Sequence, residues 1–113
     1  MPLYMIQFAY TPEAWAALAK KPENRAEAIS ALAQKMGGRL VDVYYCFGEY
    51  DGVVLAELPN DTAATATVIA AVAPGHVRTT RTTRLMTINE GMDAMKQAGT
   101  VSYAAPSAMA ART

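Results

Sequence analysis

The segment Gly48-Glu49-Tyr50-Asp51-Gly52 constrains the fold most, because it lies between two apolar runs, Leu40 to Phe47 and Val53 to Leu58, with glycine at each end. Asp-Gly between such runs signals a reversal between antiparallel strands. The runs are therefore expected to pair as a hairpin with these residues at a tight tip. A tip that only turns has no use for a carboxylate, a phenol and a second carboxylate in succession, so the same residues are the first candidates for a ligand site.

The remaining elements arrange themselves around that hairpin. Leu3 to Tyr10 is rich in β-favouring residues and stops at Thr11-Pro12, the pattern of a strand followed by an N-cap and a proline in the first helical turn. Lys20-Lys21-Pro22 breaks this first helix after about Ala19, and Ala26, Ile29, Ala33 and Met36 then recur on one face of a second helix that Gly37-Gly38 ends. Pro59-Asn60-Asp61 caps a helix over Thr62 to Ala73, which Pro74-Gly75 closes. His76 to Met86, with four threonines and three arginines, reads as an edge strand. Thr87-Ile88-Asn89-Glu90 matches a capping box, so a short helix carrying Met92 and Met95 follows. The order predicts an α+β, ferredoxin-like βαββαβ domain over residues 1–97: a four-stranded antiparallel sheet with helices on one face and an extra C-terminal helix. Residues 98–113 form a low-complexity tail, either loose in solvent or docked on a neighbouring subunit.

Bulk properties narrow the partners. Ten Lys and Arg balance ten Asp and Glu, leaving no long-range field to gather nucleic acid or anionic lipid. The start Met-Pro-Leu-Tyr-Met lacks the features of a signal peptide, no apolar run approaches a membrane span, and Cys46 is the only cysteine. A cytoplasmic protein is expected, without nucleic acid or membrane as partner.

The apolar fraction, 52% against 18% charged, is high for a chain of 113 residues, and strand alternation shows where the excess lies. Val41, Val43, Tyr45 and Phe47, with Val54, Ala56 and Leu58, form apolar sets that should pack under the helices. Leu3, Met5, Gln7, Asp42, Tyr44, Cys46, Val53, Leu55 and Glu57 share the uncovered face, joined by Arg78, Thr80, Thr82, Arg84 and Met86 from the last strand. Two such faces stacked about a two-fold axis would bury this surface, with Asp42 or Glu57 meeting Arg78 or Arg84. A homodimer is the minimum assembly expected.

The chain resembles the GYD domain family, whose tripeptide stands here with an insertion as Gly48-Glu49-Tyr50-Asp51. The likeness runs from Pro2-Leu3-Tyr4 through Gly37-Gly38 to Val77-Arg78-Thr79 and Arg84-Leu85-Met86-Thr87, spanning residues 2 to about 96. It implies a ferredoxin-like domain similar to the dimeric α/β barrel proteins, and no particular reaction.

Candidate chemistry centres on the tip. Tyr50 and Asp51, with Glu49, Tyr44 and Arg84, would line a pocket near the tip and the open sheet face, a phenol beside a carboxylate serving to fix a polar ligand or move a proton. The plain alternative is that the glycines supply positive φ, Asp51 bonds turn amides and Tyr50 packs on a neighbour. Arg78, Arg81 and Arg84 recur every third residue, which scatters them over both faces and suits solubilising or pairing roles; only Arg84 is placed at the ligand. His76, the only histidine, is the obvious general base, or else simply solvated. Cys46 reads as packing. No phosphate-binding glycine loop, nucleophile elbow, redox cysteine pair or metal-ligand spacing is present, so neither cofactor nor metal is expected. The leading functional expectation is a homo-oligomeric small-molecule-binding or sensing module. The alternatives are a structural or partner-binding subunit, and a small cofactor-independent acid/base enzyme.

Overall fold

Alternating large apolar residues fix the central strand. The computed structural model of the chain describes residues 1–107. From β1 (Leu3–Tyr10), the side chains of Tyr4, Ile6, Phe8 and Tyr10 enter the core. β3 (Gly52–Glu57) pairs antiparallel on one side of β1 and β4 (Val77–Leu85) on the other, and β2 (Arg39–Tyr45) lies outside β3, giving the order β2-β3-β1-β4. α1 (Pro12–Lys20) and α2 (Arg25–Lys35) connect β1 to β2, and α3 (Asp61–Val72) connects β3 to β4. This is the ferredoxin-like βαββαβ arrangement. Val54, Ala56 and Leu58 complete the sheet side of the core, against Ala14 and Leu18 of α1, Ile29 of α2, and Ala64 and Val68 of α3.

Side-chain caps set the helix starts. Thr11 accepts from the Ala14 amide with Pro12 opening α1, Asn24 accepts from Ala26 at α2, and Asn60 from Ala63 at α3. At the end of α2 the Gly38 amide reaches the Ala33 carbonyl and the Gly37 amide that of Gln34, a Schellman closure that holds Gly37 at φ 82°. The Thr87–Glu90 capping box opens α4 (Ile88–Ala98) as expected. α4 has no buried residue, and the radius of gyration, 18.9 Å, far exceeds the roughly 13 Å of a compact domain this long, so α4 stands away from the body. The tail is exposed over 99–107, and the rest of the predicted docking segment, 108–113, lies outside the described residues.

Several sequence expectations need correction. A bulge carries the β2 register from Leu40↔Ala56 directly to Asp42↔Leu55, so Leu40 and Val43 pack on the core while Val41 turns outward. β2 stops at Tyr45, leaving Phe47 fully exposed instead of under the helices. The tip is not a tight Asp-Gly turn but a loop from Cys46 to Asp51, with Gly48 at φ 132° and Gly52 inside β3. In β4 the faces are reversed. Pairing of Tyr4 with Arg84, Ile6 with Thr82 and Phe8 with Thr80 puts these threonines and Arg84 on the helix side, and Arg81, Thr83 and Leu85 on the open side. Threonine and arginine mark neither face clearly, and a bulge opposite Ala9 and Tyr10 also breaks the phase at Arg78. Within the chain Glu57 meets Arg39 at 2.5 Å and Asp42 accepts from the Tyr44 hydroxyl; the expected pairing of Asp42 or Glu57 with Arg78 or Arg84 belongs to a contact between two copies. Among the described residues no helix is long and apolar enough to cross a membrane.

Candidate functional site

The last core residue of β1 organises the site. Tyr10 is only 4% exposed, and its ring stands edge-on to Phe8 at 5.3 Å and to Trp15 at 5.1 Å, with Tyr45 at 6.4 Å and His76 at 6.3 Å. Three elements and a loop meet here because the Thr11 amide donates to the His76 carbonyl at 2.9 Å, locking the end of β1 beside the start of β4. The Tyr10 and Tyr45 hydroxyls approach to 3.4 Å.

Asp51 holds this cluster in place. Its Oδ2 accepts from the Tyr10 amide at 2.9 Å and from the Trp15 indole Nε1 at 3.1 Å, and its own amide donates to the Phe8 carbonyl at 2.8 Å. One carboxylate thus ties the hairpin loop to both β1 and α1, a larger task than bonding its own turn. Replacing Asp51 with alanine orphans the Tyr10 amide, and the expected cost is about 2 kcal/mol. Trp15 is the sole tryptophan, so the urea midpoint and a shift in intrinsic fluorescence, both measured on D51A, check the tether.

Tyr10 and His76 of this cluster stand at the edge of a cavity of about 240 Å³ between the sheet and helices α2 and α3. Ile6, Phe8 and Val54 form its floor, Ile29 and Leu32 one wall, and Val68 and Ala71 the other. Tyr10, Arg25 and His76 stand where it meets an outer groove that also holds Lys21 and Glu23. Burial, then the hydrogen bond with Tyr45, pushes the Tyr10 phenol well above its ordinary range; burial and the bond to Asp61 push Tyr4 up as well. Both phenols are favoured neutral in the folded state, so their contribution is complete below about pH 10, the unfolded value, and is lost as pH rises through the folded values. The urea midpoint is expected to fall above about pH 10, and less steeply in Y10F.

The other sequence-chosen residues disperse. Glu49 is exposed on the loop, and Tyr50 is half-buried there, its carbonyl accepting from the Cys46 thiol at 3.2 Å. Tyr44 is exposed on the open face with its hydroxyl on Asp42, which raises the Tyr44 phenol and lowers the Asp42 carboxyl. Arg84 stands opposite Tyr4, whereas the tip stands by Phe8, about 13 Å further along β1. Only Asp51 touches the aromatic cluster, and the cavity lies on the helix side of the sheet instead of the open face. Tyr10, Trp15, Arg25 and Tyr45 went unnoticed as site residues because their convergence depends on strand order. The signal available was Tyr10 as the last core-phase residue of a central strand.

A family model for the GYD domain matches residues 4–106. The chain belongs to the GYD domain family. No curated protein matches it. Among solved structures, MtbAldR is similar at a TM-score of 0.56 and 13% identity, over 76% of this chain and 53% of that one, so the chain spans about half the length of MtbAldR. TTHA0845 from Thermus thermophilus is similar at a TM-score of 0.50 and 17% identity, over 77% of this chain and 95% of that one. At such identities the likeness extends to the fold. Within this GYD domain the motif aspartate, Asp51, is the residue that braces the cavity mouth.

Proposed function

We propose that this GYD domain is a homo-oligomeric small-molecule-binding module whose ligand enters the cavity between the sheet, α2 and α3. The observation that carries this reading is an apolar chamber with a few polar groups converging at its mouth, the usual makeup of a ligand site. A cavity near 150 Å³ accepts benzene, and drug-sized ligands need about 300 Å³ or more, so 240 Å³ suits a small metabolite. The second part of the proposal is assembly through the open sheet face. Leu3, Met5, Val53, Leu55 and Leu85 lie there together, half-buried, while α1, α2 and α3 cover the other side. A second copy stacked on this face removes that apolar surface from water.

The test combines native mass spectrometry with nitrogen-15 NMR. Benzyl alcohol is expected to shift the Thr67, Val68 and Val77 amides in the wild type and not in A71W, whose indole fills the chamber. Equal shifts in both proteins would remove the cavity from the proposal, and a monomer in the mass spectrum would remove the open-face assembly.

A partner-binding role has one observation in its favour. Ile88, Met92 and Met95 follow one another at helical spacing on α4 and are 81%, 47% and 72% exposed. An oligomer and partner capture both unchanged by M92D/M95D would set that reading aside.

A further inference from the structure

The geometry points to the class of ligand: we infer that the cavity takes a compact apolar ring or branched chain bearing one anionic group, a carboxylate or enolate, with the apolar part inside and the anion at Arg25. This inference rests on the cavity reading above and adds the ligand's charge and polarity.

The interior restricts the first part. Apart from Thr67 and Thr80, the surfaces away from the mouth are aliphatic or aromatic, and the Thr67 hydroxyl is already committed to the Ala63 carbonyl at 2.8 Å. A buried charge there would have no partner, and burying an unpaired charge is prohibitive. At about 240 Å³ the chamber takes more than the benzene that fills roughly 150 Å³, which leaves room for a substituent reaching the mouth.

The mouth decides the second part. Arg25 is the one residue with a permanent charge among those lining the chamber, and it lies at the N-terminal turn of α2, where backbone amides also favour an anion. Its ion pair is a 3.4 Å contact to the exposed Glu23 and it also lies against the Tyr10 hydroxyl, an arrangement that pairs the charge weakly and leaves some of its five donors for a ligand. His76 and Tyr10 line the same chamber beside Arg25. Glu23, the carboxylate nearby, is the exposed partner of Arg25 and lines the outer groove with Lys21. A cationic ligand would have to displace Arg25 from Glu23 while being repelled by Arg25 itself. A neutral one would leave the strongest donor at the mouth unused.

The experiment compares three probes of matched shape, phenylacetate, phenylacetamide and phenethylamine, by calorimetry and by amide shifts at Thr67 and Val68. In the wild type, phenylacetate is expected to bind at least ~10-fold more tightly than phenylacetamide, as an ion-assisted contact allows, with phenethylamine weakest. R25Q should bring phenylacetate and phenylacetamide close to parity. K21Q, which removes a positive charge outside the chamber, should preserve the preference. Arg25 is a partly exposed first-turn residue, and circular dichroism of R25Q checks that the fold is intact. Equal affinity for phenylacetate and phenylacetamide in the wild type would overturn the charge inference while leaving the cavity as a binding site. A preference abolished equally by K21Q would overturn it too, since the effect would then be one of general charge. Absence of shifts with all three probes would overturn the cavity reading itself.

Discussion

G38A is expected to be among the least stable single variants of this protein, with a loss of about 4 kcal/mol or more. A Cβ at residue 38 would stand 2.0 Å from the Glu57 carbonyl oxygen and 3.0 Å from both the Glu57 carbonyl carbon and Leu58 Cδ2. The obstruction is backbone, so no rotamer relieves it. Gly38 also supplies the amide that closes α2 on Ala33, and Arg39, the next residue, opens the ladder opposite Glu57. The chain must either release the helix end or give up the first pair of β2, and both steps expose core around Leu58, which is fully buried. A native protein has only about 5–15 kcal/mol to lose, so the urea midpoint should collapse. G91A is the control: nothing lies within 4 Å of its added methyl, and alanine should favour α4 by up to about 1 kcal/mol.

G52A should lose about 3 kcal/mol and, in addition, damage the cavity. The new Cβ would lie 2.2 Å from Phe8 Cζ and within 2.9 Å of two further ring atoms, because the Phe8 ring covers the glycine across the β1–β3 ladder. This clash is with a side chain, but that ring lies in the core, is part of the cavity floor and stands edge-on to Tyr10. Moving it shifts the aromatic cluster that Asp51 braces. Benzyl alcohol shifts at Thr67 and Val68 should therefore weaken even where the variant remains folded, whereas an unchanged midpoint would show that the ring relocates freely.

These glycines mark the limit of what the residues disclose. Gly37-Gly38 and Gly48 to Gly52 were legible as stops and turns, and Gly37 and Gly48 do adopt the positive φ such positions require. Gly38 and Gly52 are needed for a different reason, close approach by Glu57 and Phe8 from distant parts of the chain. The same division runs through the site. Asp51 was visible as an unusual carboxylate at a reversal, but its partners, the Tyr10 amide and the Trp15 indole, are 41 and 36 residues away in sequence. The phase of β4 was illegible because Thr80, Thr82 and Arg84 carry no clear face preference, and the β2 bulge at Val41 left no mark in an otherwise regular alternation.

The sequence by itself determined the elements and their order, since Thr11, Asn60 and the Thr87–Glu90 box act on amides within three residues, and alternation in Leu3 to Tyr10 acts through the strand's own geometry. From that order the ferredoxin-like topology follows. The tertiary structure alone decided that Tyr10, Arg25 and His76 share one opening and that the cavity lies under the helices. Those placements depend on pairing register and on side chains from separate elements filling the same volume, and no local stretch of sequence carries that information.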